Sequence, residues 1–302
     1  DRSTMIKVGE YMALGKPVVA FDLTEHRQTA KDPMGKTKLA IIGCGAISES
    51  HVKGYMANPD AEIKYFCDVQ IERAEQAVEK NGCGQAIDDY QIILNDPEID
   101  GVSVCTTNNF HAPISIDCLR AGKNVLCEKP AARTYEEALD MQKVQHESGK
   151  LLHIGVVNRF NTAVNIIKKM IENGELGDVY QVYASFRKGR SIPGLGGGFT
   201  THSIAGGGVL IDWGVHFLDI VMYCSGDPKP LTVTGQAFSK LGQDMENYTY
   251  KYMWAGPPNF EGTYDVDDFV TALIRTDGPT ITLNGAWAQN VVEDEMFIDF
   301  RG

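Results

Sequence analysis

Lys129 stands two residues after the end of a short apolar run, Asn124-Val125-Leu126-Cys127, in the sequence Cys127-Glu128-Lys129-Pro130. An ammonium fixed at the end of a buried strand can polarise a carbonyl or steady negative charge growing on a hydroxyl oxygen. Upstream, the apolar run Lys38-Leu39-Ala40-Ile41-Ile42 leads into a glycine turn, Gly43-Cys44-Gly45-Ala46-Ile47-Ser48, that opens a helix. In such a turn the first glycine allows the tight bend and the second lets a pyrophosphate approach the backbone. The anion then rests on the helix N-terminus. Ser48 takes the place of the usual third small residue and is small enough for helix–strand packing. Asp68 closes the next strand, Glu62–Cys67, and lies 23 residues after Gly45. A carboxylate there can accept hydrogen bonds from the adenosine ribose and repels a 2′-phosphate, so NAD is expected, with NADP the alternative. Arg73 is either a partner for such a phosphate or a surface charge, and Asp68 could instead cap a helix. A dinucleotide turn with an ammonium downstream points to hydride chemistry at a hydroxyl or carbonyl carbon.

A second constellation lies at Asp212-Trp213-Gly214-Val215-His216. Asp212 and His216 are four residues apart and share one face of a helix. Oxidation of an alcohol releases a proton as the hydride leaves, and imidazole is the side chain suited to accept it near neutrality. Asp212 can orient the substrate or the imidazole. Taken singly, Asp212 could be a helix cap and His216 a satisfied core histidine; the upstream lysine and glycine turn favour catalysis. Arg159 either contacts substrate or is a surface arginine. His202, in the glycine-rich stretch from Gly189 to Gly208, is a substrate contact if that stretch is more than a flexible loop. The histidines have no metal-ligand spacing, so no metal is assigned.

These side chains need a scaffold that brings strand ends together. From Lys36 the pattern alternates strand and helix: strands at 38–42, 62–67, 101–105, 124–127 and 151–155 with helices between, the one at 134–148 opened by Thr134-x-x-Glu137. Such alternation predicts an α/β fold with a Rossmann-type doubly wound parallel sheet. After about Val156 come an amphipathic helix (161–173), the glycine-rich stretch, a helix over 210–224 and strands near 231–238, 268–276, 280–288 and 295–300, an α+β domain with a largely antiparallel open sheet. The expected division is residues 1–35 as a remnant or extension, 36–156 as the NAD(P)-binding domain and 157–302 as the substrate-binding domain.

With 302 residues, 43% hydrophobic and 23% charged, the chain has the composition of a globular protein with room for two cores. A net charge of −12 argues against a nucleic-acid or anionic-membrane surface. No apolar run approaches the roughly 18 residues of a membrane span. The seven scattered cysteines contain no C-x-x-C pair and are read as reduced thiols of a cytoplasmic enzyme.

Two resemblances add to this reading. Residues 1–35, with Glu10 and a Gly-Lys-Pro turn, resemble a fragment of the nucleotide-sugar half of a GT-B glycosyltransferase, too short to form a domain. Residues from about 36 to 302 closely resemble the Gfo/Idh/MocA family of sugar and polyol oxidoreductases. Ile42-Gly43-Cys44-Gly45-Ala46-Ile47-Ser48-x-x-His51 is similar to the family's first motif. Thr106-Thr107-Asn108-Asn109-x-His111 resembles its nicotinamide-side loop, Glu128-Lys129-Pro130 its signature, and Asp212-Trp213-Gly214-Val215-His216 its last catalytic motif. The resemblance implies cofactor contacts at Gly43, Gly45, Ala46, Ile47, Ser48, Asp68, Arg73, Thr106, Thr107, Asn109, His111, Glu128 and Lys129. It also implies a cis Lys129–Pro130 bond, catalysis by Lys129, Asp212 and His216, and a sugar or polyol substrate touching these three, Arg159 and His202. Family members often pair through the open face of the second sheet, so a homo-oligomer is expected if that domain is complete. The sequence ends at Phe300-Arg301-Gly302, inside that sheet by this reading, so a domain truncated at its C-terminus is expected. The implied reaction is hydride transfer between nicotinamide and a secondary hydroxyl. The alternatives are a glycosidase that uses NAD transiently and a nucleotide-sensing regulator on the same fold.

Overall fold

The computed structural model describes residues 36–251 and 253–302. Glu10, the Gly-Lys-Pro turn and the resemblance read in residues 1–35 lie outside the described residues. The chain divides into two compact units, the first ending at Gly155 and the second running Val156–Gly302.

The first unit is built around β1 (Thr37–Ile42), whose residues from Leu39 to Ile42 are buried on both faces. Its side chains alternate: Leu39 and Ile41 belong to one apolar cluster, Ala40 and Ile42 to another. A strand of this kind needs helices on both sides. They are supplied in order by α1 (Ser48–Met56), β2 (Ala61–Cys67), α2 (Ile71–Asn81), β3 (Gln85–Ile87), α3 (Gln91–Asn95), β4 (Gly101–Val104), α4 (Asn108–Arg120), β5 (Asn124–Cys127), α5 (Tyr135–Ser148) and β6 (Leu152–Ile154). Val52 and Tyr55 of α1 and Ala74 of α2 cover the Leu39 face, while Ala112 and Leu119 of α4 and Met141 of α5 cover the Ile42 face. All six strands are parallel, in the order β3-β2-β1-β4-β5-β6. Strand order reverses between β1 and β4, and that reversal is where a doubly wound sheet opens a crevice at its strand C-termini. Thr134 caps α5 by accepting from Glu137 N, while the Glu137 carboxylate accepts from Arg133 N, one residue earlier than a capping box would place it. The short β3 and α3 are additions to the sequence reading.

The second unit contains α6 (Thr162–Glu172), β7 (Gln181–Arg187), the single-turn α7 (His202–Ala205), α8 (Val215–Cys224), β8 (Pro230–Phe238), β9 (Phe269–Thr276), β10 (Thr280–Ala286) and β11 (Glu295–Arg301). Its sheet has the order β11-β7-β10-β9-β8 and is antiparallel except for the parallel pair β7–β10. Helix α8 packs on one face through Phe217 against Phe186 of β7, ring centres 5.0 Å apart. The Phe186 ring fits only because Gly285 lies opposite it in β10: a Cβ there would come within 1.8 Å of the ring.

Three features depart from the sequence reading. β7 is a further strand, in the interior of the sheet. The helix read over 210–224 starts with a π-helical turn, Leu210–Gly214, before α8. The stretch His202–Cys224, 23 residues that include an 18-residue segment of mean hydropathy 1.4, meets the length and composition of a membrane span, although no continuous apolar run does. The reason is that helix joins residues on both sides of polar positions such as Asp212. Bends at Gly206–Gly208 break the stretch, and Val221 and Cys224 are buried within this unit. All seven cysteines are free thiols. Burial pushes Cys44, Cys67 and Cys127 up to about 12.

Gly285→Ala forces the new methyl into the Phe186 ring, an overpacking expected to cost about 1–3 kcal/mol. Urea unfolding should show a lower midpoint. An unchanged midpoint would mean that β10 and β7 can separate without cost.

Candidate active site

The glycine turn leaves β1 at its C-terminal end. Gly43 has φ +93°, and a Cβ on it would fall 2.6 Å from the backbone carbonyl of Cys105. This is a close approach of two main chains that only glycine permits. A Cβ on Gly45, by contrast, meets nothing within 4 Å. Gly45, Ala46 and Ile47 are exposed, so their backbone faces open space. Ser48 is buried and its hydroxyl donates to Gly45 O at 2.6 Å, holding the turn against the first residue of α1. A narrow turn, an open second glycine and exposed amides at the start of α1 suit a pyrophosphate.

Asp68 follows β2 and is largely buried. Its Oδ2 accepts from Cys44 N at 2.9 Å and its Oδ1 from Gln70 N at 2.9 Å. The carboxylate thus ties the glycine turn to the start of α2. It does not cap α2 itself, whose N-cap residue is Gln70. Arg73 is exposed on the first turn of α2, near enough for its charge to act on the Cys44 thiol.

At the C-terminal ends of β4 and β5 lie the remaining first-unit candidates. Thr106 is half-buried beside Gly43. Thr107 occupies the N-cap position of α4, and its hydroxyl donates to Asn109 Oδ1 at 2.7 Å. His111 is fully buried on α4, with Nδ1 2.6 Å from Pro130 O and Nε2 3.1 Å from Thr106 O. Burial holds this imidazole below its ordinary value although both carbonyls favour the charged ring. A neutral ring donates only once, and the shorter contact assigns that proton to Nδ1. The Lys129–Pro130 peptide is cis. Glu128 is buried; its Oε1 lies 2.9 Å from His51 Nε2 and its Oε2 accepts from Lys129 N at 3.1 Å. Burial would raise the Glu128 carboxyl, but the hydrogen bond and charge of His51 hold it below the usual carboxylate range. Its carboxylate is therefore turned to His51 and to its own chain, and a cofactor contact through this group is not what the geometry offers. His51 Nδ1 lies 3.0 Å from Ser103 Oγ, which also meets the Tyr55 hydroxyl.

In the second unit Asp212 is buried within the π-helical turn, and His216 follows one turn later, half-buried on α8. The Trp287 indole N–H donates to Asp212 Oδ2 at 3.0 Å. The start of this helix is held by Asp267, whose oxygens accept from Gly208 N (2.8 Å) and Leu210 N (3.1 Å). π-turns recur at functional sites because they shift the register of the side chains they carry. Arg159 is engaged within its own unit. Its Nε lies 2.9 and 3.0 Å from the two Asp219 oxygens, and its guanidinium stacks 5.1 Å above the Tyr223 ring. This pairing ties the turn Val157–Phe160 to α8. The His202 side chain is exposed, and its backbone N–H donates to Asp265 Oδ1 at 2.6 Å.

A family model described as "Oxidoreductase family, NAD-binding Rossmann fold" matches residues 37–156, and one for the GFO/IDH/MocA C-terminal domain matches residues 164–299. The chain belongs to the GFO/IDH/MocA oxidoreductase family. It is 33% identical over 268 residues to the D-glucoside 3-dehydrogenase of Escherichia coli (strain K12), covering 88% of this chain and 74% of that protein. It is 31% identical over 260 residues to the levoglucosan dehydrogenase of Pseudarthrobacter phenanthrenivorans, covering 80% of this chain and 65% of that protein. Among solved structures, a levoglucosan dehydrogenase in complex with NADH and levoglucosan is similar with a TM-score of 0.77 and 25% identity, over 88% of this chain and 71% of that one. Several other curated relatives are matched over less than two thirds of their length, the Thermotoga maritima myo-inositol 2-dehydrogenase over 55%.

For a GFO/IDH/MocA chain the residues that fit an NAD pyrophosphate are those of the open turn. The partners that spacing alone does not reveal are Trp287 for Asp212, Asp267 for the helix that carries it, and His51 for Glu128. Gly45→Ala should leave the melting temperature near that of the wild type and weaken NAD binding, read by titration of protein fluorescence, because its Cβ meets only the space a pyrophosphate would fill. Gly43→Ala should lower the melting temperature as well, since its Cβ meets backbone. Trp287→Phe removes one donor to a buried carboxylate. A loss on the order of 1–3 kcal/mol is expected from the lost hydrogen bond to a charged group, and denaturant unfolding beside the wild type checks it.

Proposed function

We propose that this chain is an NAD-dependent dehydrogenase acting on a secondary hydroxyl of a sugar, cyclitol or sugar derivative. The observation that carries the reading is the place of Lys129: it follows the C-terminal end of a parallel strand beside β4, at whose other flank the glycine turn closes β1. The relatives support the substrate class, since those named act on a glucoside, on levoglucosan and on inositols, all hydroxyl-bearing rings. The first unit is read as the cofactor domain and the second as the substrate domain.

NAD, when bound, supplies the acceptor for the hydride. Gly43, Gly45, Ala46, Ile47 and Ser48 would hold its pyrophosphate, Asp68 its ribose, and Thr106, Thr107 and Asn109 would border the reacting ring. The Lys129 ammonium donates to the substrate oxygen and steadies its negative charge. The His216 imidazole takes the hydroxyl proton. Asp212, kept in place by the Trp287 indole, orients the substrate hydroxyl or the imidazole. The reading extends to a cytoplasmic enzyme and to a homo-oligomer formed through the second sheet. Half-exposed Leu273 and Phe297, which the strand register puts on the face away from α8, favour such a contact.

The test is a screen of levoglucosan, glucosides and inositols with NAD and with NADP, read by NADH or NADPH absorbance. NADH formation with a ring polyol is expected. Glycoside cleavage without NADH accumulation would overturn the dehydrogenase reading in favour of transient redox chemistry, and nucleotide binding without either reaction would favour a sensor. His216→Ala should slow turnover by about 10²- to 10⁴-fold, with the histidine limb of the pH profile lost or displaced. Lys129→Ala should lower kcat on the order of 10²-fold. An unchanged kcat in either variant would remove that residue from the reaction.

A further inference from the structure

The polar cluster beneath Lys129 is larger than a dinucleotide turn needs. Tyr55, Ser103, His51 and Glu128 come from α1, β4 and the end of β5, and all four side chains are at least nine-tenths buried. Ser103 and His51 with Glu128 have the membership of a nucleophilic triad, but Ser103 has no exposed surface, so the set cannot attack a substrate. Buried charge is also a poor means of holding a fold together, because apolar side chains of similar size do as well. The cluster reaches the Lys129 N–H, which donates to Glu128 Oε2 at 3.1 Å.

We propose that His51 is a positioning residue for Lys129, acting through Glu128. The inference rests on the reading of Lys129 as the group that steadies the substrate oxygen. His51 Nε2 donates to Glu128 Oε1 at 2.9 Å, because an ionised carboxylate can only accept. The other carboxylate oxygen takes the Lys129 amide. A carboxylate held at both oxygens fixes the peptide plane from which the Lys129 side chain departs. On the far side of Lys129, Pro130 O is bound by His111 at 2.6 Å. The lysine backbone is therefore gripped before and after by histidines from two different helices, α1 and α4. Gly155, at the end of β6, completes the arrangement: a Cβ there would come within 3.1 Å of the Glu128 carboxylate. Its absence gives Glu128 the space in which to face both partners.

The amides of asparagine and glutamine separate the two contacts of His51. Glutamine carries its amide nitrogen out to about the place of Nε2 and can still donate to Glu128. Asparagine reaches only as far as Nδ1 and can serve Ser103 alone. With levoglucosan or myo-inositol and NAD as probes, His51→Asn is expected to lower kcat on the order of 10²-fold, as misplacement of a reacting group does. KM for the sugar and the fluorescence-read Kd for NAD should stay near their wild-type values, and His51→Gln should recover most of the rate. In a double variant with Lys129→Ala, His51→Asn should add nothing to the loss, since both act at one place. Gly155→Ala, which crowds Glu128 without touching His51, should lower kcat in the same sense and serves if the His51 variants do not fold.

Equal losses in His51→Asn and His51→Gln, with NAD binding and melting temperature falling together, would show a packing histidine and overturn the proposal. Full additivity with Lys129→Ala would overturn it too, because His51 would then act elsewhere. A Lys129→Ala variant with unchanged kcat would remove the role of Lys129 itself, and that outcome is distinct from a failure of His51 alone.

Discussion

Two main chains pass within touching distance where β1 ends. The Gly43 position has no room for a methyl group because the Cys105 carbonyl fills it, and this contact sets the geometry of the strand ends. It brings the turn after β1 against the loop after β4, where the order of a doubly wound sheet reverses. With those two loops in register, Asp68 reaches the Cys44 amide, His111 lies beside Thr106 O, and the Lys129 corner after β5 becomes the next neighbour along the sheet. A bulkier residue at 43 would have to open the pair β1–β4 before any of these contacts could form. The second unit uses the same device: Gly208 lies so near the Asp267 backbone that its Cβ position is occupied, and the helix bearing Asp212 starts from that point.

Buried histidines and carboxylates form the second tier. Glu128 and Asp212 are both acidic, both buried and both answered by a ring N–H, from His51 and from Trp287. In each case the donor comes from a distant part of the chain, 77 and 75 residues away. Such pairs convert overall folding into local orientation. A carboxylate on its own would turn freely or take up a proton, whereas one anchored by a ring inside the core presents a fixed direction.

That distance in sequence also explains which parts of the fold are legible in the sequence. Parallel strands covered on both faces appear as unbroken apolar runs, so 38–42 and 101–105 declare themselves. The glycine turn, Asp68 at the end of the next strand and Lys129 after an apolar run are local patterns with fixed spacing. β7 is harder, because Gln181, Ser185 and Arg187 interleave with Val182, Ala184 and Phe186; the period of two is present but short, and it follows a helix with turn residues between. The π-helical turn at Leu210–Gly214 leaves no mark in hydrophobic spacing. Trp287, Asp267 and the Tyr55–Ser103–His51 series are made by tertiary contact alone, and so is the closure of Arg159 on Asp219. A residue type can suggest that a partner is needed, but not who supplies it.

Asp68 has a consequence for how cofactor preference could drift in this fold. Its two oxygens already hold the amides of Cys44 and Gln70, one in the glycine turn and one at the approach to α2. The residue proposed to select the ribose is therefore also a brace between two loops. A lineage that exchanged it for an apolar side chain to admit a 2′-phosphate would release both amides, each worth on the order of 1 kcal/mol, and would loosen the turn proposed to hold the pyrophosphate. Selectivity and rigidity are inherited together at this position. A path to the phosphorylated cofactor would begin more easily with changes around Arg73, on the exposed first turn of α2, than at the carboxylate itself.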